Sequence, residues 1–302
     1  MTDEQTTVPA RELLPGQVSR IRIHDTMTGT SHTVFESSTT LFEAPNWTRE
    51  GNLIVNGQGA LWTMPSNGSE QPQPIEIDGI PDLNNDHVLH PSHESIFISA
   101  NDFQLYEAPI TGGSARRITA ADGALYFLHG VTPDGETLAY VRLEPADGDW
   151  WASATIHEIG IDGTGDRAVT THPGPADGPE YSQDGRWVYF NTEQFEKGRA
   201  QIARIRPDGS ELTQLTFDER VNWFPHLAPV GGLAVYLSFP EGTAGHPADK
   251  AVRLVLVRDN DWQNGTVVEE FNGGQGTINV NSWSPDGTAF AYVDYPLTTG
   301  QD

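Results

Sequence analysis

One repeat limits what this chain can fold into more than any other feature. Six segments align without gaps: APNWTREG (44–51), DHVLHPSH (86–93), LHGVTPDG (128–135), GPEYSQDG (178–185), FPHLAPVG (224–231) and VNSWSPDG (280–287), about 40 to 56 residues apart. Three end in Thr/Ser-x-Asp-Gly, a tight-turn sequence, and strand-like runs rich in β-branched and aromatic residues follow, as in GETLAYVRL, GRWVYFNTE and GTAFAYVDY. A second hairpin comes next, turned by Asp-Gly or Gly-Gly in QIARIRPDGSELTQLT (201–216) and QLYEAPITGGSARRIT (104–119). Four antiparallel strands recurring at this period make a propeller blade. The fold class is therefore all-β, with six four-stranded blades. SRIRIHD (19–25) and SHTVFES (31–37) have no start of their own, so they are expected to complete the last blade and close the ring, removing open sheet edges. The expected organisation is an N-terminal extension, 1–18, and one propeller domain, 19–302.

Charge narrows the partners. With 17 Lys and Arg against 42 Asp and Glu, the formal charge is −25, which disfavours a nucleic acid backbone as partner. No cysteine is present, so any metal falls to His, Asp, Glu or Asn. No segment approaches the roughly 18 uninterrupted apolar residues of a membrane span, so no membrane partner is expected. The opening MTDEQTTVPARE lacks a basic start and an apolar h-region, which makes the cytoplasm the expected location. Nucleophile-elbow, phosphate-loop and dinucleotide motifs are missing, and no nucleotide cofactor is expected.

The x-W-S-P-D-G start with its following hairpin resembles the repeat of the TolB propeller family over about residues 19–296. NNDH (84–87), DGPEYSQDG (177–185), NWFPH (222–226), GHPADK (245–250) and GQGTINVNSWSPDG (274–287) resemble the stand-alone six-bladed TolB-like proteins of bacteria more closely. The resemblance implies a six-bladed ring and, as one functional reading, a non-catalytic scaffold that binds a protein or peptide. The TolB of the cell-envelope Tol system carries an additional N-terminal domain and an export signal, which this sequence does not show, so a Tol role is not expected.

The first strand of each blade lines the central channel, so aligned residues form rings around one axis. One ring holds Pro45, His87, His129, Pro179, Pro225 and Asn281; the next holds Asn46, Val88, Gly130, Glu180, His226 and Ser282. Imidazole and carboxylate are ligands that Mn, Zn, Fe or Ni accept, which makes His87, His129, His226 and Glu180 a candidate site for one divalent metal ion. The other reading is a polar channel in which the same groups hydrogen-bond to one another and to water. Function is expected at the mouth where the first strands begin, beside the longer loops 144–153, 191–200 and 239–251. There Trp150, Trp151 and His246 would join Asn46, Asn222, Trp223 and Asn281 in binding a ligand. Asp86 and Asp177 flank the channel positions as partners for the histidines.

Two classes of function follow. In the first, the funnel binds an anionic or keto-carbohydrate and acts as a metal-dependent lyase, with Glu180, His129, Lys250 and Arg199 as candidate catalytic residues. This resembles oligogalacturonate lyase at the level of fold, and hydrolysis is the lesser alternative. In the second, the channel is non-catalytic and receives a protein or peptide partner.

Overall fold

The structure is a computed structural model that describes residues 11–145 and 150–298. Five four-stranded antiparallel sheets follow one another along the chain, with inner strands Phe42–Trp47, Leu83–Leu89, Leu125–Val131, Ala176–Tyr181 and Val221–Leu227. We number these blades 1 to 5. Blade 6 is built from Ala289–Asp294, then Ser19–Asp25, then Thr30–Ser37, its innermost strand reduced to the bridge between Trp283 and Phe290. The six-bladed ring and its closure by the N-terminal strands are as the repeat implies. A short parallel pair outside the blades, Ile77–Asp78 with Gly113–Ser114, was not expected.

Closure rests on Ile21 facing Val293 and Ile23 facing Ala291. Arg20 adds a two-pronged ion pair, Nε to Asp294 Oδ1 at 2.8 Å and Nη2 to Oδ2 at 2.6 Å. Second strands lose the two-residue alternation that one-sided sheets show, because neighbouring blades cover both of their faces. Ala234–Phe239 is buried at every position, and Leu138 to Val141 are at most 1% exposed. The fourth strands of blades 2, 3 and 4 are the opposite. Arg116–Arg117, Arg167–Ala168 and Thr213–Gln214 are two residues each and mostly exposed, and such short, polar edges resist pairing with other chains.

The expected extension is more than a tail: Arg11 onward packs on the ring, and the backbone N–H of Val18 donates to Pro296 at 3.1 Å. Residues 1–10 and 299–302 lie outside the described residues, as do 146–149 of the loop expected at 144–153.

Replacing fully buried Ile21 with Ala should lower the unfolding free energy by about 2–5 kcal/mol in urea denaturation. Met27→Ala, in the adjoining turn and 79% exposed, should leave it within about 0.5 kcal/mol.

Candidate functional site

The inner strands of blades 1 to 5 are each interrupted at the same level by a bulge: between Glu43 and Asn46, Leu83 and His87, Leu128 and Gly130, Asp177 and Glu180, Trp223 and His226. Bulges re-aim side chains beside functional centres. In blades 1, 4 and 5 the residue before the proline takes a left-handed conformation, Ala44 at φ 50, Gly178 at φ 62 and Phe224 at φ 53. Proline suits the interruption, having no N–H to leave unpaired. A Phe with this φ is strained and persists only where its surroundings hold it. Phe224 is fully buried, between Trp223 and the ring of His129.

The residues after these bulges bond across the axis. His87 Nδ1 lies 2.7 Å from Asn46 Oδ1, and Asn46 Nδ2 donates to the Asn281 carbonyl at 2.8 Å. Asn281 Nδ2 donates to Glu180 Oε1 at 2.9 Å, and Glu180 Oε2 meets His226 Nδ1 at 2.7 Å. His226 Nε2 donates in turn to the Ile278 carbonyl at 2.6 Å. One chain of hydrogen bonds thus links blades 2, 1, 6, 4 and 5. Glu180 Oε1 also accepts the Leu227 N–H at 2.6 Å. The segment 274–280, leading into blade 6, supplies the backbone that the histidines hold and displaces the expected inner strand.

Blade 3 contributes His129, the extra residue of its bulge. His129 Nδ1 donates to the Asn279 carbonyl at 3.2 Å, and Nε2 lies 3.1 Å from Asp177 Oδ1. Burial alone would lower its pKa, but Asp86 and Asp177 outweigh that and push it up to about 9. Asp177 is held below the usual carboxylate range, because His129, His246 and the Gly178 N–H outweigh the burial that opposes its charge. Burial pushes Asp86 up to about 6 and His87 down to about 3. His246 is likewise lowered by burial, its ring tilted against Trp223 with centroids 4.4 Å apart and hydrogen-bonded to Gln275.

The two mouths of the channel differ. On the long-loop face, Arg11 Nη1 donates to Glu43 Oε1 at 3.1 Å and to the Gln275 carbonyl at 2.6 Å, over the ring of Tyr295. With Gln275 and His246 it narrows this mouth, where function was expected. On the opposite face, among the tight turns, a funnel of about 310 Å³ is lined from all six blades, with His129 and Glu180 reached from its floor. Its walls include Trp47, Val88, Leu89, Val131 and Trp283. Sequence shows the length of the loops at the first mouth but not that Arg11 and segment 274–280 fold over it.

The candidate residues therefore separate. Asn46, His87, His129, Glu180, His226 and Asn281 do converge on the channel. Asn222 is fully buried but bonds Gln201, Thr216 and Asp218 between blades. Trp223 is buried with Trp151 tilted against it, and Trp151 Nε1 donates to Glu193 at 3.1 Å. Trp150 is 44% exposed on the rim, Arg199 pairs with Glu196 at 3.0 Å, and Lys250 is exposed at a strand start. None of these last six lines the funnel.

A resident divalent metal does not fit the proposed ligands. A ligating imidazole needs a free lone pair; His226 Nε2 points a proton at a carbonyl, and both nitrogens of His129 face acceptors. Of the imidazole nitrogens of the proposed ligands, only His87 Nε2 is buried without a hydrogen-bond partner. Among the described residues no group of three His, Asp or Glu side chains is gathered as ligands would be. Sequence reasoning missed Arg11, which lay in the presumed extension, and the crossing segment, whose motif GQGTINV was noted only as a likeness. It also missed the role of Gly130: a Cβ there would stand 2.6 Å from the Pro179 carbonyl, so glycine lets inner strands of blades 3 and 4 approach.

Two measurements check this arrangement. Stability from His129 is full below its ordinary pKa of 6.5 and drains as pH rises through about 9. Neutral His87 contributes fully above 6.5, and that contribution is lost as pH falls toward about 3. His129→Gln should flatten the alkaline fall in Tm, and His87→Asn the acid fall. Gly130→Ala should destabilise by about 1–3 kcal/mol by calorimetry, since its obstacle is backbone.

No protein-family model matches the chain. An uncharacterized protein of Agrobacterium fabrum is 36% identical over 260 residues, 84% of this chain and 85% of its own length. The solved structure named "The structure of putative TolB from Agrobacterium tumefaciens" superposes with a TM-score of 0.84 at 34% identity, covering 94% of this chain and all of that one. An oligogalacturonate lyase in complex with manganese shares the fold alone, at TM-score 0.56 and 13% identity over 95% of this chain and 82% of its own. With inner-strand bulges, ring closure and relatives in agreement, the chain belongs to the family of TolB-like six-bladed β-propellers that these Agrobacterium proteins represent.

Proposed function

We propose that the protein is a non-catalytic binding propeller whose funnel on the tight-turn face receives an extended, positively charged segment of a partner protein. The observation that carries this is the funnel itself, open and six-sided over a floor whose titratable groups are already engaged. Catalysis by Glu180 would require it to give up contacts to His226, Leu227 and Asn281. A lyase acting through a metal would require imidazole lone pairs where His129 and His226 point protons at acceptors.

The turns around the funnel support a cationic ligand. Thr132, Ser182 and Ser284 donate to Asp134, Asp184 and Asp286 at 2.6, 2.7 and 2.6 Å. These hydroxyl bonds, with backbone N–H groups and, at Asp184, the Arg186 guanidinium, hold all three carboxyls below their usual range; Asp184 is paired with Arg186 at 2.8 Å, and Asp134 and Asp286 stay anionic well into acid. Trp47, Val131 and Trp283 offer apolar contact inside. A binding role is also what the TolB resemblance implies.

A displayed random heptapeptide library, panned on the protein, should enrich Lys- and Arg-containing sequences whose binding weakens as salt shortens the Debye length from about 10 Å at 0.1 M. Val131→Trp, which fills the funnel, should abolish the enrichment without lowering Tm. Enrichment that survives Val131→Trp, or that favours acidic peptides, would refute the reading.

A further inference from the structure

On the long-loop face, between blades 1 and 2, lies a second cleft of about 220 Å³ that shares no residue with the funnel. Its lining is dominated by carboxamides. Gln58 follows the strand Asn52–Gly57, Asn101 follows Ser95–Ala100, and Asn84 and Asn56 stand on the strands between them. Gln275 reaches in from the crossing segment. Asn56 Nδ2 is fixed by the Asn84 carbonyl at 2.6 Å, and Asn84 Oδ1 by the Asp86 N–H at 2.9 Å. The side-chain amides of Gln58 and Asn101 and the Nδ2 of Asn84 have no hydrogen-bond partner among the described residues.

We infer that this cleft is a binding site for a neutral polyhydroxylated ligand, one sugar unit or a small cyclic polyol. The amides of Gln58 and Asn101 can each both donate and accept, which matches a hydroxyl that does the same, while Gln275 is held by His246 and Asn85. The charged groups present, Arg11 and Glu43, neutralise each other at 3.1 Å, so neither an anion nor a cation is favoured. Leu41 and Leu83 give an apolar wall against which the C–H face of a sugar ring can lie. The volume is below the roughly 300–1,000 Å³ of sites for drug-sized ligands, which fits one ring. Gln58 also holds a left-handed φ of 54 in a two-residue turn where Asn or Gly is usual, so its side chain is kept at a conformational cost. This site does not rest on the funnel reading.

Saturation-transfer NMR with glucose, galactose, mannose and myo-inositol, and with glucuronate and glucosamine as charged counterparts, tests the assignment on the full chain. At least one neutral probe should bind saturably with a Kd of about 1 mM or tighter. The Gln58→Leu/Asn101→Leu variant should weaken it by roughly tenfold or more at unchanged Tm, while Val131→Trp leaves it intact. Should the double variant lose stability, Asn101→Asp provides the check: the added charge should weaken the neutral probe and leave folding unchanged. Absence of saturable binding by every neutral probe, stronger binding of a charged counterpart, or binding lost only in Val131→Trp would overturn the inference.

Discussion

Hydrogen bonds that cross the central axis hold this propeller's inner strands in place. Outer parts of the blades press together through apolar side chains, but inner strands converge where there is little room for a packed core. The series from His87 through Asn46, Asn281 and Glu180 to His226 spans five blades, and His129 ties the remaining one to Asp177 and to the Asn279 carbonyl. Each such bond contributes about 0.5–1.5 kcal/mol net, more where a charge takes part. Removing one partner leaves another polar group buried and unsatisfied, which costs more than the bond contributed. The channel's chemistry is therefore architectural first.

That priority explains what was legible. Register alone brings His87, His129, His226, Glu180, Asn46 and Asn281 to one axis, because a repeat that aligns in sequence must align in space. The closing strands were equally plain, since two strands at the start lacked what blade 6 lacked. Register is silent on groups outside the repeat. Arg11 comes from a segment with no periodicity, and 274–280 leaves its blade to lie across the channel. These two decide which histidine nitrogens stay free and which mouth stays open. Asn222 was misplaced for a simpler reason: it sits before the bulge, on the side of the strand that faces Gln201 and Asp218.

Two faces with different chemistry result. The tight-turn face is open, with acidic turns at its rim and apolar walls within. The long-loop face is partly closed by an arginine paired with a buried glutamate, beside a cleft of neutral amides. In the readings proposed for the two faces, the cross-axis bonds stay undisturbed.

Imidazole ¹⁵N NMR of the full chain at neutral pH, before and after excess Zn²⁺, tests the central claim most directly. The account predicts that both nitrogens of His129 and Nε2 of His226 carry protons, with shifts unchanged by zinc. A bare, lone-pair nitrogen at any of these three positions, or a zinc-induced shift there, would show that these groups are available to a ligand and would contradict it.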